Sequence, residues 1–204
     1  MELLLIRHGE STWNAEGIIQ GWGDPPLSEA GRAQARSLGL RLSQQEGITA
    51  LYSSTLQRAR ATAEIIGELT GTSPHFDDRL REGGIGVLTG VNVKDVEKLY
   101  PEIWRDWQES PLQTPIPGGE DNENFRKRVT QVMESILANH EDNDQIAVVS
   151  HGGTFGIYLA HLIDLDMRKR VPFRFANASL SMIQLGGVRP RIALLNDTCH
   201  LDRS

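Results

Sequence analysis

Near the amino terminus the chain reads Leu3-Leu4-Leu5-Ile6-Arg7-His8-Gly9-Glu10. Four apolar residues are too few for a helix and suit a buried strand. Arg7 and His8 then fall where the strand gives way to a loop. In open α/β sheets, ligands bind at the carboxyl ends of strands. A guanidinium holds phosphate oxygens in a planar fork, and an imidazole serves as nucleophile or acid–base group near neutral pH. The pair suggests an anionic substrate; the plainer alternative is a surface Arg-His pair without a role.

The pattern returns far downstream, in Ile146-Ala147-Val148-Val149-Ser150-His151-Gly152-Gly153. Here too an apolar strand delivers a histidine at its end. Two such strands, side by side, bring both imidazoles to one pocket. Gly152 and Gly153 let backbone amides approach a phosphate, with a helix amino terminus just behind.

Bulk properties narrow the classes. The 204 residues fit one domain, here 1–204, and suffice to bury a sizeable core. A formal charge of −6 argues against nucleic acid as a partner. Cys199 is the single cysteine, which excludes an intrachain disulfide and a cysteine metal site. A free thiol suits the cytosol, the opening residues lack the pattern of a signal peptide, and no apolar run is long enough to span a membrane. The expectation is a cytoplasmic protein.

Between the two histidine strands, helices and strands alternate. A polar loop spans Ser11 to Pro26, with Trp13 and Trp22 read as packing it down. Ser28 is an N-cap for a helix reaching about Gln45, with Ala35, Leu38 and Leu42 as its apolar stripe. A strand covers Ile48 to Tyr52. Ser53-Ser54-Thr55 ends it and caps a helix whose first turns hold Arg58 and Arg60. Cations there oppose the helix dipole, so a nearby anion would explain one of them. Glu82 sits in the irregular run Arg79-Leu80-Arg81-Glu82-Gly83-Gly84-Ile85-Gly86. It is either a general acid or an ordinary ion-pair partner of Arg79 or Arg81.

A helix over Val93 to about Glu109, broken near Pro101, leads to a proline-marked loop at Pro111, Pro115 and Pro117. The stretch from about 81 to 119 reads as a lid-like insertion over one end of the sheet. Asp121 caps a helix carrying Phe125, Val129, Val132 and Ile136. A largely apolar helix runs from Thr154 to about Ile163, followed by strands at 180–185 and 191–195, the last near an edge. His75, His140 and His161 read as structural or solvated. The alternation predicts a three-layer α/β/α sandwich with a mostly parallel central sheet.

These residues resemble the signature of the histidine phosphatase superfamily, the phosphoglycerate mutase-like proteins. The resemblance runs through Leu5 to Asn14, Gln20-Gly21-Trp22, Pro26-Leu27-Ser28, Gly31, Tyr52 to Ala59, Thr62-Ala63, Leu80-Arg81-Glu82, Pro117 to Glu120 and Ser150 to Gly153. It implies His8 as the nucleophile that carries a phosphohistidine. It implies Arg7, Arg58 and His151 around the phosphoryl group, with Asn14 and Gln20 as further donors and Gly21 and Gly152 as backbone contacts. Glu82 would protonate the leaving oxygen and then activate water. No cofactor or metal is implied.

The short segment after Glu82 and the ending Asn196 to Leu201 look more like the phosphatase branch than the mutases. Leu88 and Thr89 depart from it, standing where a tryptophan and an acidic residue are common. The leading expectation is a metal-independent phosphomonoesterase for small phosphorylated metabolites such as phosphoserine or phosphoglycerate, or a broad range of them. A cofactor-dependent phosphoglycerate mutase is the alternative, and a non-catalytic phosphate-ester binder the third. The final strand is a candidate for pairing with a second copy, as a homodimer.

Overall fold

The computed structural model describes residues 1–44, 47–109, 114–165 and 172–201. Six strands form one sheet: β1 (Glu2–Arg7), β2 (Ala50–Ser54), β3 (Pro74–Asp77), β4 (Gln145–Ser150), β5 (Leu180–Gln184) and β6 (Arg191–Asp197), in the order β3-β2-β4-β1-β5-β6. The first four run parallel; β5 and β6 are antiparallel additions at one edge.

Alternation along β1 and β4 sorts the helices. Leu3, Leu5, Ile146 and Val148 face a cluster built with α6 (Asn122–Leu137) and α7 (Gly152–Leu162). Leu4, Ile6, Ala147 and Val149 face the opposite cluster, built with α2 (Glu29–Leu42) and α3 (Gln57–Thr70). Both faces of the central strands are therefore apolar, which is why they read as continuous hydrophobic runs. This is the three-layer α/β/α arrangement the alternation predicted.

Several boundaries differ from the sequence reading. A short helix, α1 (Thr12–Glu16), interrupts the loop after β1, because Ser11 and Asn14 form a reciprocal capping box. Ser28 caps α2 as expected, but α2 ends at Leu42; Gln45 lies outside the described residues. Thr55 does not cap α3. The N-cap position is Leu56, whose side chain has no oxygen to offer, and Asp24 Oδ1 accepts from the Gln57 amide at 2.6 Å instead. The strand β3 was not foreseen: its four residues carry a proline, a histidine and an aspartate, too little apolar pattern for a strand. The helix expected over Val93 to Glu109 is split into a turn at Val93–Asp95, α4 (Val96–Leu99) and α5 (Pro101–Glu109). Pro111 lies outside the described residues.

The register sets up the site. β1 pairs with β4 so that Arg7 stands beside Ser150, and the His8 amide donates to the Ser150 carbonyl at 3.0 Å. His8 and His151 thus leave adjacent parallel strands at the same height. Gly31 of α2 lets the loop after β1 close down: a β-carbon there would stand 1.9 Å from the Glu10 carbonyl oxygen.

Candidate active site

At the carboxyl ends of β1, β2 and β4 lies a cavity of about 340 Å³. Arg7, His8, Asn14, Gln20, Gly21, Arg58 and Glu82 all line it. His151 stands behind His8, ring centroids 5.1 Å apart, and both are buried. Gly153, rather than Gly152, reaches the cavity wall.

The hydrogen bonds define the state of His8. Its Nδ1 lies 2.7 Å from the Gly9 carbonyl oxygen, which can only accept, so Nδ1 carries the proton. Its Nε2 accepts from Arg58 Nε at 3.3 Å. Burial, reinforced by the charges of Arg7 and Arg58, holds His8 well below the ordinary histidine pKa; the Gly9 carbonyl opposes this. His8 is a neutral imidazole with the Nε2 lone pair toward the arginine and the cavity.

His151 is held low for the same reasons, burial first, then Arg58, His8, Arg7 and Arg128. Its Nε2 lies 2.9 Å from Ser54 Oγ, which itself accepts from the Leu56 amide at 3.3 Å. When the serine hydroxyl donates to Nε2, the His151 proton is carried on Nδ1. That Nδ1 and Arg7 Nε are buried with no hydrogen-bond partner among the described residues. An unmet buried donor costs about 1–3 kcal/mol, more when charged. The oxygens of an anion would satisfy both.

Arg58 is almost fully buried, and Arg60 is not: the latter pairs with Glu64 at 2.9 Å in solvent. The arginine turned inward donates through Nη1 to the Gly23 carbonyl at 2.8 Å and through Nη2 to the Gly21 carbonyl at 3.0 Å. These bonds offset the desolvation of a buried cation, which costs several kcal/mol if left unanswered. Burial still presses its pKa down to about 10, against the pull of Glu82 and Asp24 and with Arg7 adding to the lowering. Arg7 is lowered as well, by burial, with Glu82 opposing. It donates from Nη1 to the Phe175 carbonyl.

Glu82 pairs with neither neighbouring arginine. Arg79 binds Asp77 and Arg81 binds Asp78, each at 2.7 Å. The Glu82 carboxylate instead accepts from the amides of Gly83 (3.0 Å), Gly153 (2.9 Å) and Thr154 (3.1 Å), at the amino terminus of α7. Gly153 must lack a side chain for this, since a β-carbon would lie 2.5 Å from Glu82 Oε1.

Two side chains fix the Glu82 backbone. Trp22 Nε1 donates to its carbonyl at 2.8 Å, so this half-exposed tryptophan is more than loop packing. Arg128 of α6 donates to the carbonyls of Arg79 (2.8 Å), Arg81 (2.9 Å) and Glu82 (3.2 Å), and pairs with Glu120 at 2.6 Å. Asn177 was also missed. Its Nδ2 bridges the His8 carbonyl (3.2 Å) and Asn14 Oδ1 (3.1 Å), tying the loop before β5 to the loop after β1. No spacing in the sequence announces Arg128, which sits in the basic run Arg126-Lys127-Arg128. Among the described residues, no group of three His, Cys, Asp or Glu is placed to hold a metal ion, and no helix is long and apolar enough to cross a membrane.

Sheet and site together define an α/β protein that gathers two arginines and two histidines held in the neutral form at the carboxyl ends of its central strands. The profile of the histidine phosphatase superfamily (branch 1) matches residues 3–198, and the chain belongs to that superfamily. It is 37% identical over 201 residues to phosphoserine phosphatase 1 of Hydrogenobacter thermophilus, covering 98% of this chain and 94% of that one. It is 38% identical over 210 residues to phosphoglycerate mutase-like protein 4 of Arabidopsis thaliana, covering 100% and 88%. A mycobacterial glucosyl-3-phosphoglycerate phosphatase superimposes with a TM-score of 0.87 at 28% identity, covering 96% of this chain and 98% of that one.

Proposed function

We propose that this chain, a phosphoric monoester hydrolase of the histidine phosphatase superfamily, works through a phosphohistidine on Nε2 of His8. The observation that carries this is the neutral His8, its Nε2 lone pair beside Arg58, with Arg7 Nε and His151 Nδ1 buried near it and without a hydrogen-bond partner among the described residues.

The phosphoryl group of a small ester settles between Arg7, Arg58 and His151. Phosphoryl transfer asks mainly for alignment and charge stabilisation, and these donors supply both. As Nε2 meets phosphorus, the Arg58 Nε–H passes from the imidazole to a phosphoryl oxygen. The N–P bond forms while the P–O bond to the leaving group breaks, and Glu82, in its acid form, gives its proton to the departing alkoxide. The carboxylate then takes a proton from a water molecule. That water attacks phosphorus, the P–N bond breaks, and inorganic phosphate leaves with His8 restored. Asn14 and Gln20 flank the phosphoryl site as polar groups of the cavity wall, with Gly21 holding Arg58 through its carbonyl. None of these steps calls on a metal.

Phosphate release from a panel of phosphorylated metabolites, in EDTA, tests the reaction. Turnover in the wild type and its loss in His8→Ala are expected. Alkaline quench during turnover should trap phosphate on His8 in an alkali-stable, acid-labile form. Full activity in the alanine variant removes the nucleophile assignment. Glu82→Gln should slow esters of alcohols far more than 4-nitrophenyl phosphate, whose leaving group needs no proton; equal losses remove the general acid. The mutase reading, which the Arabidopsis relative's name favours, requires isomerisation of 3-phosphoglycerate dependent on bisphosphoglycerate, with little phosphate released.

A further inference from the structure

The phosphoryl seat takes up only one end of the cavity. The remaining wall holds Ile18, Ile19, Ile85, Trp107, Ile116 and Phe125. Among the described residues, Arg7 and Arg58 are the only cations that line the cavity, and both are assigned above to the phosphoryl group. The outer wall adds Glu120, whose carboxylate is bound to Arg128 at 2.6 Å. The amino terminus of α6, beside Asn122, is already capped by Asp121, which accepts from the Asn124 amide at 3.0 Å. A substrate carboxylate entering here would lose water and meet aliphatic carbon, another carboxylate and the neutral side chains of Thr114 and Asn122, with no further cation among the described lining residues. Burying a charge without a partner is heavily penalised, whereas an apolar group gains about 25 cal/mol for each Å² covered. A volume near 340 Å³ lies at the lower end of the range for pockets that enclose whole organic ligands, roughly 300–1,000 Å³, and exceeds what a phosphoryl group needs.

We infer that the preferred substrates are phosphomonoesters with an uncharged, largely apolar leaving group of about ring size, not phosphorylated amino acids or carboxylic acids. This rests on the phosphatase reading of the same site. Ile85 is the residue chosen to test this. It lines the cavity packed against the loop after α1, where a β-carbon on Gly21 would lie 2.3 Å from its Cγ1.

The test compares esters of primary alcohols, so that leaving-group chemistry is nearly constant: 2-phenylethyl phosphate, glycerol 1-phosphate, phosphoserine and 3-phosphoglycerate. In the wild type, kcat/KM for 2-phenylethyl phosphate should exceed that for glycerol 1-phosphate by about tenfold or more, with the two carboxylate esters below both. Ile85→Arg should shift the ratio of 3-phosphoglycerate to 2-phenylethyl phosphate by about tenfold or more toward the acid. Ile116→Arg provides the same reading if Ile85→Arg does not fold. Equal rates across the panel, or a preference for phosphoserine or 3-phosphoglycerate, overturn the inference while leaving the phosphatase intact. Release from none of the esters, 4-nitrophenyl phosphate included, overturns the phosphatase reading itself.

Discussion

Gly153 shows how a missing side chain shapes the chemistry. A methyl group there would collide only with the flexible end of Glu82, so the carboxylate yields and the backbone does not. Gly153→Ala is expected to fold with nearly wild-type stability, since alanine is the better helix residue, yet to displace Glu82 from the amides of Gly153 and Thr154. Turnover of alkyl phosphates should fall about 10²-fold, the lower range for a lost general acid, with little change for 4-nitrophenyl phosphate. Steady-state kinetics on both ester types, beside a thermal melt, check this; equal losses, or an unfolded variant, would refute it. At this scale the sequence was informative where chemistry and strand ends coincide. His8 and His151 each follow an apolar strand, and Arg58 stands at a helix start that has no structural need of a cation. It was silent where partners are far apart in the chain. Glu82 stands between two arginines and binds neither, and Asn177 reaches Asn14 only because β5 returns beside β1.

The segment at 79–82 has no regular partner strand and is held by a helix. Arg128 takes three of its carbonyls and the Glu120 carboxylate, while its guanidinium lies over Phe125 at 5.0 Å. Arg128→Ala leaves those acceptors without their cation, and a loss of about 2–3 kcal/mol is expected, to be measured by urea unfolding. Arg128→Lys keeps the charge but reaches fewer carbonyls. It should restore part of the stability and still lower kcat on alkyl phosphates, because Glu82 is then less firmly placed. Full recovery of both would mean that charge alone matters here. Elements with strong periodicity were legible: β1, β4, the stripes of α2 and α6, and the break at Pro101. The start of α3 was not. Its cap comes from Asp24, more than thirty residues earlier in the chain, and no local pattern reveals a partner at that distance. The strand β3 lay hidden because an edge strand with both faces partly exposed carries no apolar run.

For the whole molecule, placing two neutral histidines under two arginines makes folding depend on pH in a fixed direction. In the unfolded chain His8 and His151 titrate near 6.5, whereas in the fold both lie well below it. Below pH 6.5 the unfolded chain therefore binds more protons than the native one, so stability rises with pH across this window and levels off above it. On acidification, the contribution of these groups is lost progressively from about 6.5 down to their folded values. Asp77, Asp144 and Asp197, all held low in the fold, extend the loss below their ordinary value of 3.8. The melting temperature should fall measurably between pH 7 and pH 5. Replacing both histidines with asparagine should flatten that dependence, whatever it does to the melting temperature itself. A wild type with a flat profile over this range would mean that the two imidazoles gain protons inside the fold about as readily as outside it. The lone pair assigned to His8 Nε2 would then be taken up by a proton below about pH 6.5, and the burial of a neutral imidazole under two arginines would no longer explain its readiness to attack over that range.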